Sequence, residues 1–307
     1  MKRLTGSRWW PVIRIGALCV GLAAIALALA ASWSELQKTG FPSPAVLVAV
    51  VALSAASVLS MGRCWLLLLG RPSRGGLVFD GYLRSQLGKY MPLGGGVQAS
   101  AQMATAVSAG LPTRQVTGAI ATFFVVMVAA GSTTAAAVVL SPPDVAPWAL
   151  LAVAGPVTLI LLRPGVLDRA AGAVSRRLTS TPIQVVPPSA EVVRATLWAV
   201  VAFIALGGAF AMGLDAFGGE TSLPAAIGTY ALAWVAGFLL LPVPAGVGVR
   251  EAVVAAALGL PGGAGPAVAA AVAQRFGAVL AELLLIVGSG IAVRLVQRHR
   301  TVTGVET

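Results

Sequence analysis

The chain has 307 residues, of which 58% are hydrophobic and 10% are charged, and its mean hydropathy is +0.91. Soluble domains carry about 25% charged residues, so this composition excludes an ordinary soluble domain and indicates a polytopic membrane protein. The formal net charge is +11, but the cations lie in short segments between apolar runs. That distribution argues against nucleic-acid binding and is typical of cytoplasmic loops.

Two apolar segments predict the first membrane crossings. Residues 11–31 follow a basic N terminus and predict a retained signal-anchor helix, with a cleaved signal peptide as the alternative. Residues 44–61 predict the second crossing, since about 20 residues at 1.5 Å each match a hydrocarbon core about 30 Å thick.

The next segment, residues 63–114, does not have the pattern of an ordinary crossing. Residues 77–90 are too polar, and residues 99–110 are short and only weakly apolar. We therefore predict a helical hairpin that dips into the membrane and is hinged at residues 92–96. A cytoplasmic amphipathic helix is the alternative interpretation.

Further crossings are predicted at residues 116–140, 148–162, 196–214 and 223–241. Residues 163–194, between the second and third of these, form the longest polar connection.

Residues 239–260, LLLPVPAGVGVREAVVAAALGL, then predict a helix that breaks and restarts, because proline removes a backbone donor and glycine tolerates unusual backbone angles. A short limb at 246–260 and a long segment at 266–293, interrupted by Gln274 and Arg275, complete the chain.

These elements predict an all-α protein with about eight membrane segments, including broken or re-entrant hairpins. We expect one transmembrane domain over residues 1–300, with candidate halves at 1–140 and 141–300, and a polar tail at 301–307. Seventeen of the 21 cations lie in segments on one side of this topology, whereas the opposing loops hold only Lys38. This bias predicts that both termini are cytoplasmic.

A short internal similarity connects the two unusual regions. Residues 92–98, PLGGGVQ, match residues 244–250, PAGVGVR, at the proline, two spaced glycines and the following valine. Paired interrupted segments in two halves of a transporter indicate a substrate site formed by discontinuous helices, whose N-termini attract anions. Chance similarity is the alternative, since the chain has 36 glycines.

Ionisable residues at membrane depth are the candidates for function, because each costs about 2.5–3.5 kcal/mol on insertion scales. The candidate cations are Arg84, Lys89, Arg250 and Arg275, which suit a phosphate group. Interfacial snorkelling, or a structural ion pair between Arg250 and the neighbouring Glu251, is the alternative interpretation.

Glu282 lies seven residues after Arg275, two turns along a helix, so the two residues predict a buried pair or a polar stripe facing a cavity. No catalytic triad, metal cluster, P-loop or dinucleotide-binding loop is recognisable in the sequence. Cys19 and Cys64 lie in separate apolar segments. We therefore expect no enzyme activity, no metal and no cofactor.

Two motifs resemble a known family. Residues 88–95, GKYMPLGG, resemble the signature GKYxPGG, and residues 242–251, PVPAGVGVRE, resemble PxPGGxGxRE. Both signatures belong to the flippase-like transmembrane region of bacterial lysylphosphatidylglycerol synthases and their stand-alone relatives. The resemblance extends over about residues 8–298, with departures at Leu93 and Ala245.

The resemblance implies about eight membrane segments and, in bifunctional members, translocation of aminoacylated phosphatidylglycerol. Those members also carry a soluble aminoacyl-transferase domain, and we expect this chain to be a stand-alone member without it.

The expected function is movement of an anionic phospholipid or polyprenyl-linked lipid between leaflets of the bacterial inner membrane. One alternative is a non-transporting membrane partner that docks a separately encoded lipid-modifying enzyme through its basic loops. A membrane-embedded lipid transferase is the third. We expect an anionic lipid headgroup as the ligand and no nucleic-acid partner.

The expected path is lined by cations for phosphate, by Glu251 and Glu282, and by motif glycines that permit close backbone approach. Glu251 is expected to orient Arg250 or to meet a cationic headgroup. The full set of candidates is Arg84, Lys89, Tyr90, Pro92, Gly94, Gly96, Gln98, Pro244, Gly246, Gly248, Arg250, Glu251, Arg275 and Glu282.

Overall fold

The computed structural model describes residues 42–70, 72, 74–91, 94–139, 189–239, 246, 248–258 and 265–303. Within these ranges the regular structure is helical throughout, which confirms the all-α prediction. The helices, numbered within the described residues, are α1 Pro44–Leu68, α2 Gly75–Ser85, a 3₁₀ helix Gln86–Tyr90, α3 Gly94–Ser108, α4 Thr113–Val139, α5 Ser189–Ala216, α6 Leu223–Leu239, α7 Val249–Leu258 and α8 Gly265–Thr303.

Four of the described helices are long and apolar enough to cross a membrane. They are α1, α4 over Thr113–Ala136, α5 over Ala190–Ala216 and α8 over Gly265–Ala292. Helix α6 is apolar but shorter, with 17 residues. The protein is therefore a multi-pass membrane protein. The crossings predicted at residues 11–31 and 148–162 lie outside the described residues.

Several helices are longer than the membrane crossings predicted from the apolar runs. Helix α1 continues seven residues past Met61, because Cys64, Trp65 and Leu68 are buried in the core while Arg63 remains exposed. Helix α5 begins at Ser189, within the predicted polar connection. Helix α8 runs without a break through Gln274 and Arg275 and on to Thr303. The two polar residues therefore interrupt the apolar sequence but not the helical backbone.

The hairpin predicted from residues 63–114 is present as two packed helices. Helices α2 and α3 lie against each other, and the 3₁₀ helix Gln86–Tyr90 leads into the predicted hinge. A side chain at Gly81 would collide with Thr105, so the glycine lets the two helices approach closely. Pro92, in the hinge, lies outside the described residues.

Two clusters of buried side chains hold the helices together. The first joins α1 to α6 through residues such as Trp65, Tyr82 and Phe123. The second joins α5, α6, α7 and α8 around Phe210 and Tyr230. Helix α8 also packs along α1 and α2. Both clusters border the region in which the hairpin, α7 and α8 meet.

Candidate functional site

A cavity of about 100 Å³ lies among the helices. Every described helix contributes to its wall, and so does the 3₁₀ helix. Its apolar lining includes Phe123, Phe124 and Met127 of α4 and Phe238 of α6. Its charged lining comes from the hairpin, α7 and α8.

The first charged contact joins the tip of the hairpin to α8. The Lys89 ammonium forms an ion pair with Glu282, and the Tyr90 hydroxyl donates a hydrogen bond of 3.1 Å to the other oxygen of that carboxylate. The Glu282 side chain is 1% exposed, whereas that of Lys89 is 29% exposed. A buried carboxylate needs such partners, because removing it from water is costly.

The second charged contact joins the start of α7 to α8. Glu251 Oε2 accepts a 2.7 Å hydrogen bond from the Gly248 N–H, as expected of a glutamate at the third position of a helix. Its Oε1 lies 2.9 Å from Arg275 Nη2, and both side chains are buried. Arg275 Nη2 also donates to the Gly246 carbonyl at 3.4 Å. Glu251 therefore caps α7 and attaches it to α8 at the same time.

Three cations line the cavity, and Arg250 differs from Lys89 and Arg275 because it forms no salt bridge with a described residue. Its guanidinium carbon lies 5.8 Å from the centre of the Trp234 ring, within cation–π range. It also lies beside the Tyr230 hydroxyl, which donates to Gln274 Oε1. Its Nε has no hydrogen-bond partner among the described residues. With Lys89 and Arg275 paired to carboxylates, Arg250 leaves this cluster with one net positive charge.

Close contacts explain why glycine occupies two of the motif positions. A side chain at Gly94 would collide with the Lys89 carbonyl, so α3 begins directly against the hairpin tip. Gly246 has φ +66°, and a Cβ there would lie 2.7 Å from Gly237 Cα. Gly248 also has positive φ, at +81°, but a Cβ there would meet nothing within 4 Å, so the close approach expected at Gly248 is absent. Gly96 is exposed and a Cβ there would likewise meet nothing within 4 Å, so the close approach expected at Gly96 is absent.

The structure brings most of the predicted site residues together. Those that line the cavity are Lys89, Tyr90, Gly94, Gln98, Gly246, Arg250, Arg275 and Glu282. Glu251 lies behind Arg275, and Gly96 and Gly248 lie outside the lining. Pro92 and Pro244 lie outside the described residues.

Arg84 is separate from the cavity. Its side chain is 56% exposed and pairs with Asp80 at 2.7 Å, one turn earlier on α2. Asp80 also accepts a 2.7 Å hydrogen bond from Ser289 of α8. Burial of Asp80 raises the pKa of this carboxyl, but the hydrogen bonds from Arg84 and Ser289 outweigh burial and hold the pKa below its usual value. Arg84 therefore forms an ion pair within α2 and does not line the cavity, while Asp80 attaches α2 to α8 through Ser289.

The observed ion pairs differ from those expected between residues close in sequence. Glu251 pairs with Arg275 and not with Arg250, although the latter is adjacent in sequence. Arg275 and Glu282 do not pair with each other, because Glu282 is engaged by Lys89. Both nevertheless line the cavity, as the alternative of a polar stripe on one face of α8 predicts.

Several cavity residues were not predicted from the sequence. Ser54 and Ser57 of α1, Trp234 of α6 and Gln274 of α8 all line the cavity. The serines are three residues apart in a mostly apolar helix, so they share a face. That spacing was the one sequence feature that pointed to these serines. It is weak, because small hydroxyl residues are common in membrane helices.

A comparison with protein-family models finds no match for this chain, and a comparison with curated proteins finds none either.

Proposed function

We propose that the protein moves a lipid with an anionic headgroup, a phospholipid or a polyprenyl-linked lipid, between the leaflets of the bacterial cytoplasmic membrane. One observation carries the proposal. Lys89 from the hairpin, Arg250 from α7 and Arg275 from α8 line a single cavity inside a bundle of membrane helices. Both termini face the cytoplasm in this proposal.

The energetics of the charged cluster support a functional role. Five ionisable residues, Lys89, Arg250, Glu251, Arg275 and Glu282, gather around the cavity. Replacing a buried ion pair by well-packed apolar residues is often neutral or stabilising. Stability alone is therefore a weak reason for a membrane protein to contain two such pairs and a further cation. Passage of a polar group is a stronger one.

The size of the cavity indicates which part of a lipid it would hold. A water molecule needs roughly 10–15 Å³ of such space, so about 100 Å³ accommodates a group of several polar atoms. That suits a phosphate-containing headgroup and is too small for acyl chains. In our proposal the headgroup enters the cavity while the acyl chains stay in the hydrocarbon region outside.

We further propose that the chain is related to the flippase-like transmembrane region of lysylphosphatidylglycerol synthases. The supporting observation is spatial. The motifs at residues 88–95 and 242–251 are about 150 residues apart in sequence, yet Lys89, Tyr90, Gly246 and Arg250 face the same cavity.

Lipid movement in liposomes tests the proposed function. The purified full chain is reconstituted with an anionic phospholipid labelled on an acyl chain, which leaves the headgroup free to enter the cavity, and externally added reductant reports the fraction that exchanges leaflets. The assay is run with and without a proton gradient, because the sequence has no nucleotide-binding motif. We expect the protein to accelerate exchange, and we expect Arg250→Ala and Glu251→Gln to slow it about tenfold, the effect of losing a charged hydrogen bond.

Arg63→Ala is the matched control, since it removes one positive charge from an exposed position outside the cavity. It should exchange lipid like the wild type. Equal exchange by all four proteins would remove Arg250 and Glu251 from the mechanism. Exchange no faster than in protein-free liposomes, with or without the gradient, would contradict the function.

A further inference from the structure

Two serines of α1 have hydroxyl groups with no partner at the wall of the cavity. Ser54 and Ser57 are both 0% exposed, and neither hydroxyl has a hydrogen-bond partner among the described residues. Both residues line the cavity. A buried polar group without a partner is costly, so such a group needs an explanation.

Other buried serine and threonine hydroxyls of the described helices have partners, whereas the hydroxyl of Tyr82, which also lines the cavity, has none. Ser60, one turn further along α1, donates to the Ala56 carbonyl at 2.7 Å. Thr134 and Thr196 also donate to the carbonyl four residues earlier, at 2.7 and 2.9 Å. Ser54 and Ser57 are therefore set apart by the absence of the usual helical partner and by their place at the cavity.

Two further unpartnered groups belong to residues that line the cavity, and they are hydrogen-bond donors. Arg250 Nε and Gln274 Nε2 also lack partners among the described residues, and both are donors only. The serine hydroxyls can donate as well. A ligand that satisfies these four groups and the Tyr82 hydroxyl must present several acceptor atoms, as the oxygens of a phosphate do.

The charge of the cluster limits the charge of that ligand. Lys89 is paired with Glu282 and Arg275 with Glu251, so Arg250 supplies the one net positive charge. A phosphodiester carries one negative charge and would neutralise it. A phosphomonoester would bring about −1.5 to −2 charges at pH 7, which leaves an excess negative charge in a site of low dielectric.

We propose that the cavity selects a phosphodiester headgroup with a single negative charge, held by Arg250 and by the hydroxyls of Ser54 and Ser57. This inference rests on the proposed lipid function and specifies its substrate class. Ser54 and Ser57 thereby become specificity-determining residues for the headgroup.

Binding of short-chain lipids to the purified full chain tests the proposal. The probes are dihexanoyl phosphatidylglycerol with one negative charge, dihexanoyl phosphatidic acid as the phosphomonoester, and dihexanoyl phosphatidylcholine with no net charge. We expect phosphatidylglycerol to bind at least about tenfold more tightly than either of the others. Ser54→Ala and Ser57→Ala should each weaken its binding about tenfold, the effect of losing one charged hydrogen bond.

Ser60→Ala is the matched control, because its hydroxyl is buried in the same helix and already has a partner. It should bind like the wild type. Glu282→Gln releases Lys89 and raises the net charge to two, so it should shift the preference toward phosphatidic acid about tenfold. The mild serine variants keep the test decisive if Glu282→Gln does not fold.

The outcomes separate this proposal from the proposed function. Equal binding of the three lipids, or no effect of Ser54→Ala and Ser57→Ala, would overturn the phosphodiester site even if leaflet exchange continues. Selective binding without any leaflet exchange in liposomes would support the site and overturn transport. Glycerophosphoglycerol has the same headgroup and no acyl chains. If it binds as tightly as the lipid, the ligand is a soluble phosphodiester and the lipid function is wrong.

Discussion

At the scale of single residues, Gly94 and Gly96 belong to one glycine run, yet they have different environments. Gly94 is buried, and a Cβ there would lie 2.8 Å from Lys89 Cα, closer than real Cβ atoms come to carbon. Gly96 is exposed, and a Cβ there would meet nothing. The conformation of the hairpin tip therefore depends on the first glycine and not on the third residue of the run.

Alanine substitution at the two positions should separate these environments. Gly94→Ala should destabilise the protein by about 1–3 kcal/mol, because the backbone must move away from Lys89. Gly96→Ala should be neutral or stabilising by up to about 1 kcal/mol, since alanine favours a helix. Thermal unfolding in detergent measures both. Similar unfolding temperatures for the two variants would refute this account of the hairpin tip.

Asp80 gives a prediction for pH dependence. The pKa of its carboxyl in the folded protein is lower than in the unfolded chain, so its stabilising contribution is present above the unfolded pKa, about 3.9, and is lost as pH falls through the folded pKa. Wild-type stability should therefore fall below about pH 4 more steeply than that of Asp80→Asn. Unfolding curves from pH 6 to pH 3 measure the difference, and parallel curves would contradict it.

At the scale of elements, α8 holds both interrupted segments. Glu282 binds the hairpin tip through Lys89 and Tyr90, and Arg275 binds the start of α7 through Glu251. The two contacts are seven residues apart on one face of a continuous helix. Both walls of the cavity therefore depend on the position of α8.

Breaking one of these pairs should be costly. Lys89→Met leaves Glu282 buried without its counter-ion and should destabilise the fold by about 3–5 kcal/mol. The double variant Lys89→Met with Glu282→Gln should recover most of that loss, which a double-mutant cycle detects.

Arg194→Met is the control at an exposed pair with Glu191, and it should change stability by less than about 1 kcal/mol. If Lys89→Met is as mild as this control, the pair does not hold the hairpin tip.

At the scale of the whole molecule, the positive charges predict the orientation in the membrane. Arg74, in the connection between α1 and α2, should face the cytoplasm, and Glu220, between α5 and α6, should face the opposite side. Arg74→Cys and Glu220→Cys, each in a Cys19→Ser background, should be labelled by a membrane-impermeant thiol reagent from opposite sides of the membrane. Labelling of both from one side would reverse or refute the topology.

The fold was largely predictable from the sequence, but the partners at the site were not. Apolar runs predicted the long membrane helices of the described residues, because such runs act locally. The hinge predicted at residues 92–96 is wrong in its extent, since Gly94 to Gly96 are the first turn of α3. The ion pairs depend on tertiary packing: Lys89 and Glu282 are 193 residues apart, and no local pattern joins them. Ser54 and Ser57 likewise differ from Ser60 only in what surrounds them.

The central claim is that a lipid headgroup enters the bundle, and the two faces of α8 allow this to be measured directly. Ala278 and Glu282 face the cavity, whereas Leu284 and Val287 are 57% and 60% exposed on the outer surface.

A phosphatidylglycerol with a diazirine in its headgroup is photolysed with the reconstituted full chain, and mass spectrometry locates the adducts. The account predicts adducts at Glu282 and neighbouring cavity residues, which decrease with excess unlabelled phosphatidylglycerol and in Arg250→Ala. Adducts confined to the outer face of α8, with none in the cavity, would contradict it.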